Sequence, residues 1–226
     1  MDIIDIKFCN AEVYELKKVT ITLEDVERQL RSINYDGYYA QYSDIKDEQG
    51  AEKENLPYLC HIFYHYIFTN NAVPFPSELL NEYFKSYADV LVQQSNGTFT
   101  YRGKTYKRET IEARLLRTYP SLIRDFHFYL QLKEANAFQK ITYSCNDDIA
   151  GKDIKIVHNK REYVVSLMVD TKRAKLFKKI KNTFRHSYKE TEIQILLDLR
   201  TARKIGDIFV YDNTHVLSLV RKIKGK

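Results

Sequence analysis

The hydrophobic period of this chain changes near Ala137, and that change restricts what it can fold into. Up to Ala135 apolar residues recur mainly at helical spacing. From Phe138 onward most alternate or run in short stretches bounded by turn residues. Helices first and strands afterwards give an α+β protein. Charge changes sign at the same border. Residues 138–226 carry 20 Lys/Arg against 10 Asp/Glu, and residues 1–137 carry 16 against 20. A basic half is the electrostatic footprint of a polyanionic partner. A basic surface with no specific partner is the bland alternative.

In the first half, residues 1–19 alternate weakly, as a strand pair or edge strand would. Thr22 and Asp25 form an N-cap signature that opens an amphipathic helix through about Ile33. Residues 35–55 are polar and read as a long loop. Tyr58 to Phe68 reads as a buried helix, and after Pro74 and Pro76, Ser77 is the expected cap of the next. That helix aligns Leu80, Tyr83, Phe84 and Tyr87 on one face. Thr98–Tyr101 and Lys104–Lys107 flank Arg102-Gly103, the pattern of a β-hairpin. Helices followed by a basic hairpin resemble a winged-helix DNA-binding module, in which Arg102 and Lys104 meet phosphates. A hairpin that merely closes a helical core is the other reading.

Thr110 to Ala135 is helical, with a break expected at Pro120 because proline lacks the amide donor. The remaining elements are strands at Phe138–Cys145, Ile154–His158, Glu162–Asp170, Ile193–Leu199 and Asp207–Tyr211. A lysine-rich helix over Arg173–Phe184 and a last helix over Thr214–Lys224 complete the reading.

Several chemistries lack their motifs. The three cysteines, Cys9, Cys60 and Cys145, form no CxxC and no zinc-finger spacing. His61 and His65 are four apart on an apolar helix without HExxH, which favours packing. There is no P-loop, GxGxxG or GxSxG. With no signal peptide and no apolar run long enough to span a bilayer, a cytoplasmic protein without a membrane partner is expected.

One constellation remains. Asp153 precedes the strand Ile154–His158, and seventeen residues later Asp170-Thr171-Lys172 closes the next strand. Strand alternation predicts that Asp170 and Lys172 share a side. Two carboxylates suit a hard cation, and a lysine beside them suits an attacked phosphate. Each residue also has an ordinary role available: a turn at Asp153, a helix cap at Asp170 or Thr171, a solvated basic face at Lys172.

From about residue 120 onward, the element order and these three residues resemble the PD-(D/E)xK nuclease superfamily. Lys152 stands where the family usually has proline, and Asp170 where glutamate is more usual. The resemblance implies an αβββαββα restriction-endonuclease-like core over residues 110–226, behind a mainly helical region over residues 1–109. It implies a Mg²⁺- or Mn²⁺-dependent endonuclease acting on DNA. Asp153 and Asp170 would be metal ligands, Lys172 the catalytic lysine, and Glu134 an additional acid from the preceding helix. Arg173, Lys175, Lys179, Arg185 and His186 would contact phosphates. Restriction, host defence or mobile-element biology fits this reading, as does a homodimer or a partner protein from such a system. A non-enzymatic DNA-binding protein and an RNA-binding or RNA-cleaving protein are the competing classes.

Overall fold

The computed structural model describes residues 20–45, 50–51, 56–144, 148, 152–172, 174–175 and 192–225. The expected strand in residues 1–19 lies outside them, as does nearly all of the expected helix Arg173–Phe184, including Arg173 and Lys179. Arg185 and His186 also lie outside.

Helix α1 (Leu23–Ser32) begins at the expected capping box. The Thr22 hydroxyl accepts from Asp25 N–H at 3.1 Å, and the Asp25 carboxylate accepts from Thr22 N–H at 3.2 Å. The region read as loop forms a short helix, α2 (Tyr35–Tyr39), and a 3₁₀ turn, Ala40–Tyr42. The Asn34 side chain makes this possible by accepting from Gly37 N–H at 2.9 Å, an N-cap inside a polar sequence. Helices α3 (Leu59–Asn70) and α4 (Pro76–Ser86) follow. The start of α4 differs from the expected Ser77 cap. Phe75 is the capping residue, Pro76 occupies the first turn, and Glu78 accepts from Phe75 N–H at 2.8 Å.

The basic hairpin is present. Strands β2 (Phe99–Tyr101) and β3 (Lys104–Tyr106) pair antiparallel, and β1 (Val92–Gln93) adds a third strand. Arg102 and Gly103 both have positive φ, as a two-residue primed turn requires.

Helix α5 (Arg108–Glu134) continues through Pro120 for 27 residues. A proline inside a helix frees the carbonyl four residues earlier, here that of Leu116. The buried Tyr35 hydroxyl donates to Leu116 O at 2.9 Å, so the freed acceptor is satisfied. The expected break is overridden by a contact from a residue 81 positions away.

The second half is a four-stranded mixed sheet of β4 (Lys140–Thr142), β5 (Ile154–His158), β6 (Arg161–Val169) and β7 (Glu192–Leu197), in sequential order. The first two pairings are antiparallel and β6–β7 is parallel. Strand β4 is shorter than expected. The β5–β6 turn places Asn159 and Lys160 at φ 50° and 62°, again a primed turn.

The last expected strand does not join this sheet. It forms a separate hairpin, β8 (Arg203–Ile205) with β9 (Ile208–Val210). An added Cβ at Gly206 in its turn would lie 2.2 Å from Leu30 O, so only glycine admits this approach to α1. Helix α6 (Asn213–Lys224) ends the described chain, capped by Asp212.

One apolar core extends from Ile21 to Ile223. Tyr143, beyond β4, stacks on Tyr64 of α3 at 4.8 Å and on Tyr129 of α5 at 5.4 Å, which ties the sheet to the helices. The architecture is α+β. Among the described residues, no helix is long and apolar enough to cross a membrane.

Candidate active site

The sheet register positions the carboxylates. Ile154 pairs with Val165, so Asp153 enters β5 opposite Ser166. Antiparallel pairing with β5 ends there, which leaves the next amide of β6 on that side without a ladder partner. Asp153 fills the gap: its Oδ2 accepts from Leu167 N–H at 2.5 Å. Asp153 therefore caps the edge of the sheet as well as standing in the turn before β5.

Strand β6 ends at Val169. Asp170 and Thr171 form a bend, and Lys172 begins a helical turn that Thr171 caps. The Thr171 hydroxyl accepts from Ala174 N–H at 3.1 Å, and its carbonyl accepts from Lys175 N–H at 3.0 Å. Strand alternation therefore does not govern the relation of Asp170 to Lys172, because the chain has left the strand. The Asp170 carboxylate pairs with the Lys175 ammonium, and Lys172 is exposed.

Asp153 is thus held at Leu167, three residues before Asp170. The donors suit a hard cation in kind, and each carboxylate has its own partner, Leu167 N–H for Asp153 and the Lys175 ammonium for Asp170. Among the described residues, no group of three or more His, Cys, Asp or Glu side chains is gathered to hold a metal ion.

The parallel pairing brings a different acid beside Asp170. Val169 pairs with Leu197, and Asp170 N–H donates to Leu197 O at 2.8 Å, so Asp198 leaves β7 alongside Asp170. The Arg200 side chain and backbone both hydrogen-bond to Asp198 and hold its carboxyl down at about 2.

At the other end of Asp153, the long helix contributes Asp125. The phenol of Tyr211 is pushed up chiefly by burial, and the Asp125 and Asp153 carboxylates add to the shift. Buried Tyr143 is likewise raised by burial first, then by Asp148 and Asp125. Asp125 is therefore the acid of α5 that shares surroundings with Asp153. Glu134, the residue expected there, instead accepts from Leu23 N–H at 3.2 Å, at the start of α1. The sequence carries a trace of Asp125, an acid set in the apolar stripe of Leu122, Ile123 and Phe126, and the structure half-buries it there.

Sequence reasoning also missed a buried polar cluster. His127 is fully buried; its Nε2 lies 3.2 Å from Glu27, which also receives a two-point contact from Arg203 at 2.9 and 2.7 Å. Burial lowers the His127 pKa to about 4, overcoming the opposite pull of Glu27. The cluster pins α1, α5 and β8 together.

His61 is buried with Nδ1 2.9 Å from the Tyr87 hydroxyl, in keeping with a packing role. Arg102 and Lys104 are exposed on the hairpin. The neighbouring α4 exposes Glu78 and Asn81 as well as Lys85.

No family model, no curated protein and no solved structure matches this chain.

Proposed function

We propose that the protein is a metal-dependent endonuclease that hydrolyses DNA phosphodiester bonds, built on a restriction-endonuclease-like core of the PD-(D/E)xK type. The supporting observation is the sheet. Helix α5 precedes four strands in sequential order, paired antiparallel, antiparallel and parallel, with an acid entering the second strand and another leaving the third. The half of the chain that holds this sheet is also the basic one.

In this reading Asp153 and Asp170 hold Mg²⁺ or Mn²⁺, with Asp125 rather than Glu134 as the supporting acid from the helix. The cation, when bound, polarises the phosphate and lowers the pKa of water. Lys172 sets a positive charge against the charge that develops on the attacked phosphate. Lys175 presently balances Asp170. A cation that takes this carboxylate frees the Lys175 ammonium for a flanking phosphate.

The second reading is a DNA-binding protein without catalysis. It is favoured by the Asp170–Lys175 pair and the Thr171 cap, which give the acid-x-lysine segment a structural task. Incubating plasmid DNA with the protein, with and without Mg²⁺ or Mn²⁺, separates the two. Nicking or linearisation that needs the metal and disappears in Asp170→Ala supports the nuclease. Retention of plasmid without cleavage under both metals supports the binder.

A further inference from the structure

We infer that Arg200, gripped by Asp198 where β7 ends, binds a backbone phosphate of DNA beside the one attacked; the inference rests on the nuclease reading of Asp170. Strands β6 and β7 are parallel and in register to their last residues, Val169 and Leu197. Their carboxyl ends therefore open onto the same edge of the sheet. Adjacent strands lie about 4.8 Å apart, which sets Asp198 next to Asp170.

The hold on Arg200 is two-pronged. Asp198 accepts from Arg200 N–H at 3.0 Å, from Nε at 3.0 and 3.1 Å to its two oxygens, and from Nη2 at 2.6 Å. A guanidinium has five N–H donors. Nε and one hydrogen of Nη2 face the carboxylate, which leaves three donors on the outer edge. The side chain is 86% exposed, so that edge faces solvent. A planar fork with one edge fixed and the other open matches two phosphate oxygens.

The surroundings suit an anion. Among the described residues, this edge carries Lys172, Lys175 and Arg200 against Asp170 and Asp198. Three cations face two carboxylates, before any cation binds at Asp170. The turn itself does not require the guanidinium. Thr201 N–H donates to Asp198 O at 3.1 Å, and Asp198 also accepts the Arg200 backbone amide. An exposed ion pair adds little to stability, so a purely structural role predicts almost no consequence when the side chain is removed.

The test uses the full chain and a duplex oligonucleotide. Arg200→Ala and Arg200→Lys are compared with wild type and with Arg161→Ala, an exposed arginine at the opposite end of β6. Binding is measured across about 50–200 mM salt, and cleavage is followed in Mg²⁺. Each neutralised phosphate contributes about −0.9 to the slope of log affinity against log salt. Arg200→Ala is expected to make the slope shallower by about that amount and to weaken binding roughly tenfold at the lower salt. Arg200→Lys keeps the slope but not the affinity, because it retains the charge and loses the fork. Arg161→Ala behaves as wild type. If Arg200→Ala matches Arg161→Ala while wild type cuts DNA, the inference fails and the nuclease reading stands. If wild type binds but never cuts, and Arg200→Ala still loses the slope, the nuclease reading fails and the phosphate contact stands. A wild type that binds no duplex overturns both.

Discussion

The two halves of the molecule treat their polar groups differently. In the helical half, tyrosine hydroxyls are consumed inside the fold. Tyr35 donates to Leu116 O, Tyr83 to Pro57 O, Tyr87 to Tyr58 O and Tyr119 to Pro74 O, at 2.7–3.1 Å. In the sheet half, Asp170, Lys172, Lys175, Asp198 and Arg200 stand at strand ends with their charged groups at the surface. Internal satisfaction builds a scaffold, because a buried polar group without a partner costs free energy. Charge left at an open strand end is available to a ligand. On the proposed reading, the first half is the support and the second carries the chemistry.

The largest effect that tests this assignment is at Asp170. Asp170→Ala is expected to lower metal-dependent cleavage at least about a hundredfold, about 3 kcal/mol in the barrier, while duplex binding persists. Plasmid cleavage and gel retardation measure the two separately. Cleavage at the wild-type rate would remove the chemistry from the sheet half.

The next effect lies at the seam between the halves. His127 has a folded pKa of about 4, against about 6.5 when unfolded. The unfolded chain therefore binds more protons between these values, and stability falls as pH drops through that window. The expected loss is about 2–3 kcal/mol between pH 7 and pH 4.5. Glu27, whose pKa is also lowered in the fold, adds loss in the same direction at lower pH. Urea midpoints at the two pH values check this. His127→Phe flattens the dependence above pH 4.5, and an unchanged dependence would mean that another group causes it.

Tyr35→Phe examines the scaffold directly. It removes the donor to Leu116 O at the point where Pro120 interrupts the helical ladder. The expected cost is about 1–3 kcal/mol, a fall of several degrees in Tm for a chain of this size. Thermal unfolding measures it. Tyr39→Phe, whose ring only stacks on Tyr35 at 5.7 Å, serves as the control with almost no effect.

These cases also show what the sequence made legible. The change of period at Ala137, the capping box at Thr22 and both hairpin turns could be read because each is local chemistry at fixed offsets. The continuation of α5 through Pro120 could not, since it depends on Tyr35 arriving from another helix. The same limit applies at the site. Asp153 and Asp170 were visible as a spacing, but their separate partners, Leu167 and Lys175, follow from where β5 and β6 stop pairing. Asp198 was invisible as a neighbour of Asp170 because only the parallel register joins them. Asp125 was passed over for Glu134 because a helix end looks accessible in sequence, whereas the packing of α5 turns the earlier acid toward Tyr211.

The smallest expected effect asks whether the helical half is scaffold alone. Its exposed basic residues include those of the β2–β3 hairpin, where Arg102 and Lys104 flank Gly103. The Arg102 guanidinium lies 5.2 Å from the Tyr101 ring centre, so Lys104 is the hairpin cation whose removal leaves that contact in place. Lys104→Ala is therefore expected to weaken duplex binding only a few-fold at low salt. It should also make the salt slope shallower by about 0.9, the share of one phosphate. Titration of duplex binding against salt measures both. A slope equal to that of wild type would leave every phosphate contact to the sheet half, and the hairpin would be a closure of the helical core.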